Sequence, residues 1–181
     1  MGTTRSILLV GIQHSGKSSA GRHLARRLGR RFVDLDDELL CRAGKGAAGS
    51  TRELFAALGR EEFRRREAET LSALLNTAEE PLVVAAGGGL ADAPAAWEEI
   101  RRRALVVWID VDDLVAWERV VRKGLPAYLQ AKTPEEAMRE FQAVNTRRRA
   151  VYRTVSRLQL RAETTSAATA ARIQSMLPAD C

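Results

Sequence analysis

The stretch Gly11-Ile12-Gln13-His14-Ser15-Gly16-Lys17-Ser18 decides how this chain folds. It satisfies the pattern G-x-x-x-x-G-K-S at every fixed position, with an apolar run at residues 6–10 before it and a helical pattern at 16–28 after it. Each position has a physical task. The glycines at 11 and 16 let backbone amides turn inward around phosphate oxygens, and the N-terminus of the following helix adds a favourable dipole. Lys17 would bring a point charge to the transferring phosphoryl group, and the Ser18 hydroxyl would hold a magnesium ion. His14, Ser15 and Ser19 join the expected nucleotide contacts, His14 through its backbone amide rather than its ring. A strand, a loop of this kind and a helix together bind a nucleoside triphosphate.

Outward from the loop, short apolar runs alternate with helical patterns. Residues 6–10, 32–35, 82–86, 104–109 and 158–160 read as strands. One helix opens at the capping box Ser50-x-x-Glu53 and reaches about residue 76, with Gly59 as a break. Others run from Asp92, with Pro94 in its first turn, to 103, and over 113–123. Thr133-Pro134-Glu135-Glu136 starts a further helix to 153, and the alanine-rich tail is helical as far as Pro178. That alternation predicts an α/β fold, a parallel sheet with right-handed crossovers sandwiched between helices. Residues 1–181 read as a single domain, and the least regular stretches, 43–50 and 124–133, are long enough to be moving loops.

A chain of 181 residues, 45% apolar and 29% charged, can bury a real core without staples. Cys41 and Cys181 make no C-x-x-C pair and have no histidine nearby, which argues against zinc and demands no oxidising compartment. No apolar run approaches the roughly 20 residues of a membrane span. Residues 7–12 are too short for a signal-peptide core, and the loose myristoylation match at Met1 and Gly2 runs straight into a strand. A cytoplasmic protein without a membrane partner is expected. The net charge of +6, mostly from arginine, suits anionic ligands. Triple-arginine runs at 64–66, 101–103 and 147–149 suggest nucleic acid, but no nucleic-acid motif accompanies them and no such partner is expected.

Four features narrow the acceptor. Asp34-Leu35-Asp36-Asp37 follows the second strand at the sheet edge where ligands bind, and strand alternation would put Asp34 and Asp36 on one side. The pair can steady hydrated magnesium and accept a hydroxyl hydrogen, or it can simply cap a helix. In Glu62-Phe63-Arg64-Arg65-Arg66-Glu67, Arg64 and Glu67 share a helical face, and a guanidinium so held is suited to a carboxylate. Gly87-Gly88-Gly89 after a buried strand marks close approach of a ligand, or a tight turn. Arg147-Arg148-Arg149 precedes Ala150-Val151-Tyr152 late in a long helix, where a solvated helix end is the plainer reading.

Phosphate loop, D-x-D, F-R-x-x-E, G-G-G and an arginine four residues before a late tyrosine occur in the order that resembles shikimate kinase, over about residues 6–177. The resemblance implies a five-stranded parallel sheet of nucleoside-monophosphate-kinase type with a lid at about 122–133 and substrate-binding helices within 36–77. It implies transfer of the ATP γ-phosphoryl group to the 3-hydroxyl of shikimate, on the route to aromatic amino acids; small-molecule partners and a monomer are expected. Asp36 would meet the ring hydroxyls, Arg64 and Arg148 the carboxylate, and Gly87, Gly88 and Gly89 the substrate through backbone. Asp34 would support the magnesium shell and Arg119 would lie near adenine. One departure stands out. Where the family's lid carries R-P-L-L, this chain reads Leu125-Pro126-Ala127-Tyr128, and Arg122 or Lys123 is expected to supply the missing charge. A kinase for another sugar acid such as gluconate, or an ATP-binding protein without catalysis, are the alternatives.

Overall fold

A computed structural model describes residues 5–44, 48–130 and 132–178. Met1, Gly2 and Cys181, weighed above, lie outside them. Five strands form one all-parallel sheet in the order β2-β3-β1-β4-β5. They are β1 Ser6–Val10, β2 Phe32–Asp34, β3 Val83–Ala85, β4 Ala104–Asp110 and β5 Leu158–Arg161. Strand β1 lies between β3 and β4, with Leu8 opposite both Val84 and Val106. Every strand was anticipated, with ends displaced by a residue or two.

Alternation along β1 divides the core. Leu8 and Val10 face a cluster with Leu71 and Leu74 of α3 (Thr51–Thr77), Ile100 of α4 (Trp97–Arg103) and Tyr152 of α6 (Pro134–Val155). Ile7 and Leu9 face Leu24 of α1 (Lys17–Leu28) and Ile173 of α7 (Ser166–Met176). A fully buried leucine or isoleucine contributes roughly 1.5–3 kcal/mol, so these two layers hold the sheet from both sides. A third cluster seats Ile12, beneath the phosphate loop, against Ala116 and Val120 of α5 (Asp113–Lys123) and Phe141 of α6.

Three segments differ from the sequence reading. The stretch after β2 is a helix, α2 (Leu35–Ala43), so of the two readings of Asp34–Asp37 the helix cap holds and strand alternation does not. Asp34 is its N-cap, accepting from the Asp36 amide at 3.2 Å, so Asp34 and Asp36 are related by a helical first turn and not by a strand. The helix expected from Asp92 begins only at Trp97 as α4, and two short 3-10 turns, Leu90–Asp92 and Pro94–Ala96, precede it. The lid region holds a further 3-10 turn at Ala127–Leu129. The break at Gly59 is present as a kink within α3 (φ 73, ψ 172), and the Thr133–Glu136 capping box forms with both bonds made.

Candidate active site

Because all strands are parallel, their carboxyl ends share one edge. The phosphate loop leaves β1 there, Asp34 ends β2, and Gly87-Gly88-Gly89 follows β3. Ligands in open α/β sheets bind at this edge. Two neighbouring cavities open on it, of about 590 Å³ around the loop and about 300 Å³ beside the triple glycine.

The first cavity is lined by Ser15, Gly16, Lys17, Ser18 and Ser19 of the loop, together with Asp34. Gly16 adopts φ 92 and His14 φ 59, the left-handed bends that turn successive amides inward. Gly11 cannot be replaced, since a Cβ there would strike the carbonyl oxygen of Ile109. The Lys17 ammonium is buried and lies on the loop itself, 2.8 Å from the Ile12 oxygen and 3.1 Å from that of Gly11. Burial lowers its pKa to about 8 against the opposing pull of Asp36 and Asp34. Arg119 reaches across from α5 to donate to the His14 carbonyl at 2.9 Å and lines the same cavity.

The second cavity contains Arg64, Arg148, Asp36 and all three glycines. Arg64 is gripped by Glu67 at 2.6 Å and packs over the rings of Phe63 and Phe55, which meet edge to face. Glu67 is wholly buried, and that burial raises its pKa despite the arginine. Arg148, of the three arginines at 147–149, is the one turned inward and is 7% exposed. Its neighbour Arg149 instead ties Asp110 and Asp113, joining β4 to α5.

Asp92 joins the two guanidinium groups. It accepts from Arg148 Nη2 at 2.8 Å and Nε at 3.4 Å, and it stands 3.9 Å from Arg64 Nε. Burial works against its charge, but the Arg148 hydrogen bond and both arginines hold its pKa below the usual carboxylate range. Sequence reasoning saw Asp92 only as a helix start. Nothing in its spacing from Arg64 or Arg148 betrays a meeting that requires α3, α6 and the turn after β3 to converge. Arg52, Phe55 and Tyr128, also in this cavity, were missed for the same reason.

The triple glycine sits where three side chains leave no room. A Cβ at Gly89 would occupy the position of the Arg64 guanidinium, and one at Gly87 would strike Glu67. Tyr152, buried beneath, donates to the Gly88 carbonyl at 3.0 Å and pins the turn. Asp36 is half-buried at the junction and lines both cavities. Burial raises its pKa to about 6, assisted by the nearby charges of Glu67 and Asp34. A carboxylate so tuned can accept a hydroxyl proton near neutral pH.

A family model described as shikimate kinase matches residues 13–178. The chain belongs to the shikimate kinase family. The shikimate kinase of Dechloromonas aromatica is 34% identical over 154 residues, 85% of this chain and 79% of that one. That of Symbiobacterium thermophilum is 41% identical over 120 residues, spanning 66% of each chain. The structure of a shikimate kinase from Acinetobacter baumannii in complex with shikimate superposes with a TM-score of 0.83 at 30% identity, over 97% of this chain and 93% of that one. The five-stranded sheet and its helices are thus those of shikimate kinases, and a kinase using ATP as co-substrate follows from the family. Among the described residues, no helix is long and apolar enough to cross a membrane.

Proposed function

We propose that this chain transfers the γ-phosphoryl group of ATP to the 3-hydroxyl of shikimate. The observation that carries the reading is the second cavity, which has two guanidinium groups at one end and Asp36 at the end facing the phosphate loop. A monocarboxylic acid bearing ring hydroxyls matches that polarity. Its carboxylate pairs with Arg64 and Arg148, whose planar groups favour two-point contact. Its ring lies against the backbone of Gly87, Gly88 and Gly89, and the hydroxyl to be phosphorylated meets Asp36.

In the reaction the hydroxyl oxygen forms the new bond to phosphorus as the bond to the ADP oxygen breaks. The hydroxyl proton passes to the Asp36 carboxylate, and the leaving electrons stay on ADP. Loop amides and Lys17 hold the phosphates, with Ser15, Ser19 and His14 completing the loop's share. Arg119 flanks the base end. Magnesium fits the residues present, because Ser18 and Asp34 both offer hard oxygen donors in the nucleotide cavity and only one Asp34 oxygen is engaged, by a 3.2 Å capping bond. When bound, the ion neutralises phosphate charge. Residues 122–133 act as a lid, and Arg52 at the start of α3 contacts it by donating to the Leu125 carbonyl at 2.9 Å.

ADP release coupled to shikimate, compared with gluconate, tests the reading. Turnover with shikimate is expected. Turnover with gluconate alone would replace the acceptor, and ATP binding without turnover of either acid would remove the activity.

A further inference from the structure

The acceptor and nucleotide cavities share a short wall, and besides Gly88 four residues line both of them: Gln13, His14, Asp36 and Lys123. A phosphoryl group moving between two ligands crosses that wall, and its transition state spreads negative charge over three oxygens. Gln13 carries no charge and Asp36 is an acid. His14 stays neutral near pH 7, because burial and then the charges of Lys123, Lys17 and Arg119 lower its pKa to about 4. Among the described residues, Lys123 is therefore the cation that faces both compartments. Lys17, Arg119 and Arg122 line the nucleotide cavity alone, and Arg64 and Arg148 the acceptor cavity alone.

Local structure explains the placement. Lys123 is the last residue of α5, and Gly124 ends the helix with φ 96. Leu125 then packs against the apolar cluster that contains Ile12 of the phosphate loop. Its carbonyl is held from the opposite wall by Arg52. The backbone on the lid side of Lys123 is thus fixed by an apolar anchor and a hydrogen bond, while the lysine stem, at a helix C-terminus where the dipole favours cations, remains exposed at the junction.

We propose that Lys123 is a catalytic residue whose ammonium contacts the transferring phosphoryl oxygens from the lid side, opposite Lys17. The inference rests on the phosphoryl-transfer reading above. The ammonium keeps its protons throughout, and the proton that moves is the acceptor hydroxyl's, which goes to Asp36. Arg122, although adjacent and equally charged, does not reach the acceptor cavity and is not assigned this role.

Lys123→Met keeps the stem and removes the charge. It should lower kcat about 100-fold or more, the usual loss of a charge-stabilising donor, with both KM values changed less than about threefold, as for a group acting chiefly in the transition state. Lys123→Arg should recover most of the rate. In a second arm, aluminium fluoride with ADP and magnesium mimics the transferring group. It should tighten ADP binding to the unsubstituted protein and fail to do so for Lys123→Met, although that variant binds ADP alone normally. Wild-type kcat in Lys123→Met, or the same losses in Arg122→Met instead, overturns the proposal. If the unsubstituted protein does not phosphorylate shikimate, the functional reading fails, and the aluminium fluoride arm alone decides the role of Lys123.

Discussion

Arg64 and Arg148 lie in a cavity that the loop residues Lys17 and Ser18 do not line, so removing either arginine should separate the two ligands energetically. Arg148→Ala or Arg64→Ala is expected to weaken acceptor binding by about 2–5 kcal/mol, the cost of unpairing a desolvated charge. ATP affinity should stay nearly intact, as calorimetry with each ligand would show. Equal damage to both would mean that the arginines shape the fold and not the clamp. Asp36 gives a test with two opposed readouts. Folding raises its pKa from 3.8 to about 6, so between those values the folded state holds more protons than the unfolded one. Ionising it as pH rises through that window therefore costs stability, on the order of 2–3 kcal/mol once complete. In the absence of nucleotide and magnesium, Asp36→Asn should raise Tm near pH 7 by several degrees. The same change should lower turnover by about 100-fold or more through loss of the proton acceptor. A variant both less stable and fully active would refute the assignment.

At the level of elements, the turn after β3 does more than change direction. It lies between Tyr152 beneath it and Arg64 beside it, so its lack of side chains sets where the guanidinium can rest. Gly89→Ala should push Arg64 out of place and abolish acceptor binding while leaving ADP binding within about threefold, a separation expected of sites that do not share the altered contact. Loss of both would show that the loop and the turn fold as one unit. The sequence disclosed this element through three consecutive glycines but could not distinguish a ligand from a tight turn, because the neighbour that forbids a Cβ comes from a distant helix. The phosphate loop was legible as a pattern, since its fixed positions fall within eight residues, although the Ile109 carbonyl that forbids a side chain at Gly11 comes from a distant strand. The stretch after β2 was not. Asp34 and Asp36 suit a strand end and a helix cap equally, and only the packing of Leu35 and Leu39 beneath α2 decides for the helix. Asp92 was the plainest omission, for its partners lie on two other helices.

For the molecule as a whole, binding groups are bought with stability. Lys17 is buried and its pKa falls from 10.5 to about 8, so between those values the unfolded chain holds the extra proton and stability rises with pH. Below about pH 8 the buried charge is a cost that phosphate should relieve. ADP with magnesium at a hundred times its Kd should stabilise the fold by about 2.7 kcal/mol, seen as a higher Tm. At that same ADP concentration the gain should be larger for the unsubstituted protein than for Lys17→Met, and an equal gain would mean that Lys17 takes no part in holding phosphate. The runs of arginine that first suggested a polyanion are divided at this scale among different tasks. Arg65 and Arg66 pair with glutamates on their own helix, Arg149 joins β4 to α5, and Arg64 and Arg148 face the acceptor cavity.

The two cavities have Gly88 and four other lining residues in common. A single compound with an adenosine polyphosphate arm and a cyclic hydroxy-acid arm, bridged across Gly88, would reach both compartments at once. Tethering makes the second arm's local concentration about millimolar, so such a bisubstrate inhibitor should outcompete an equimolar mixture of its halves.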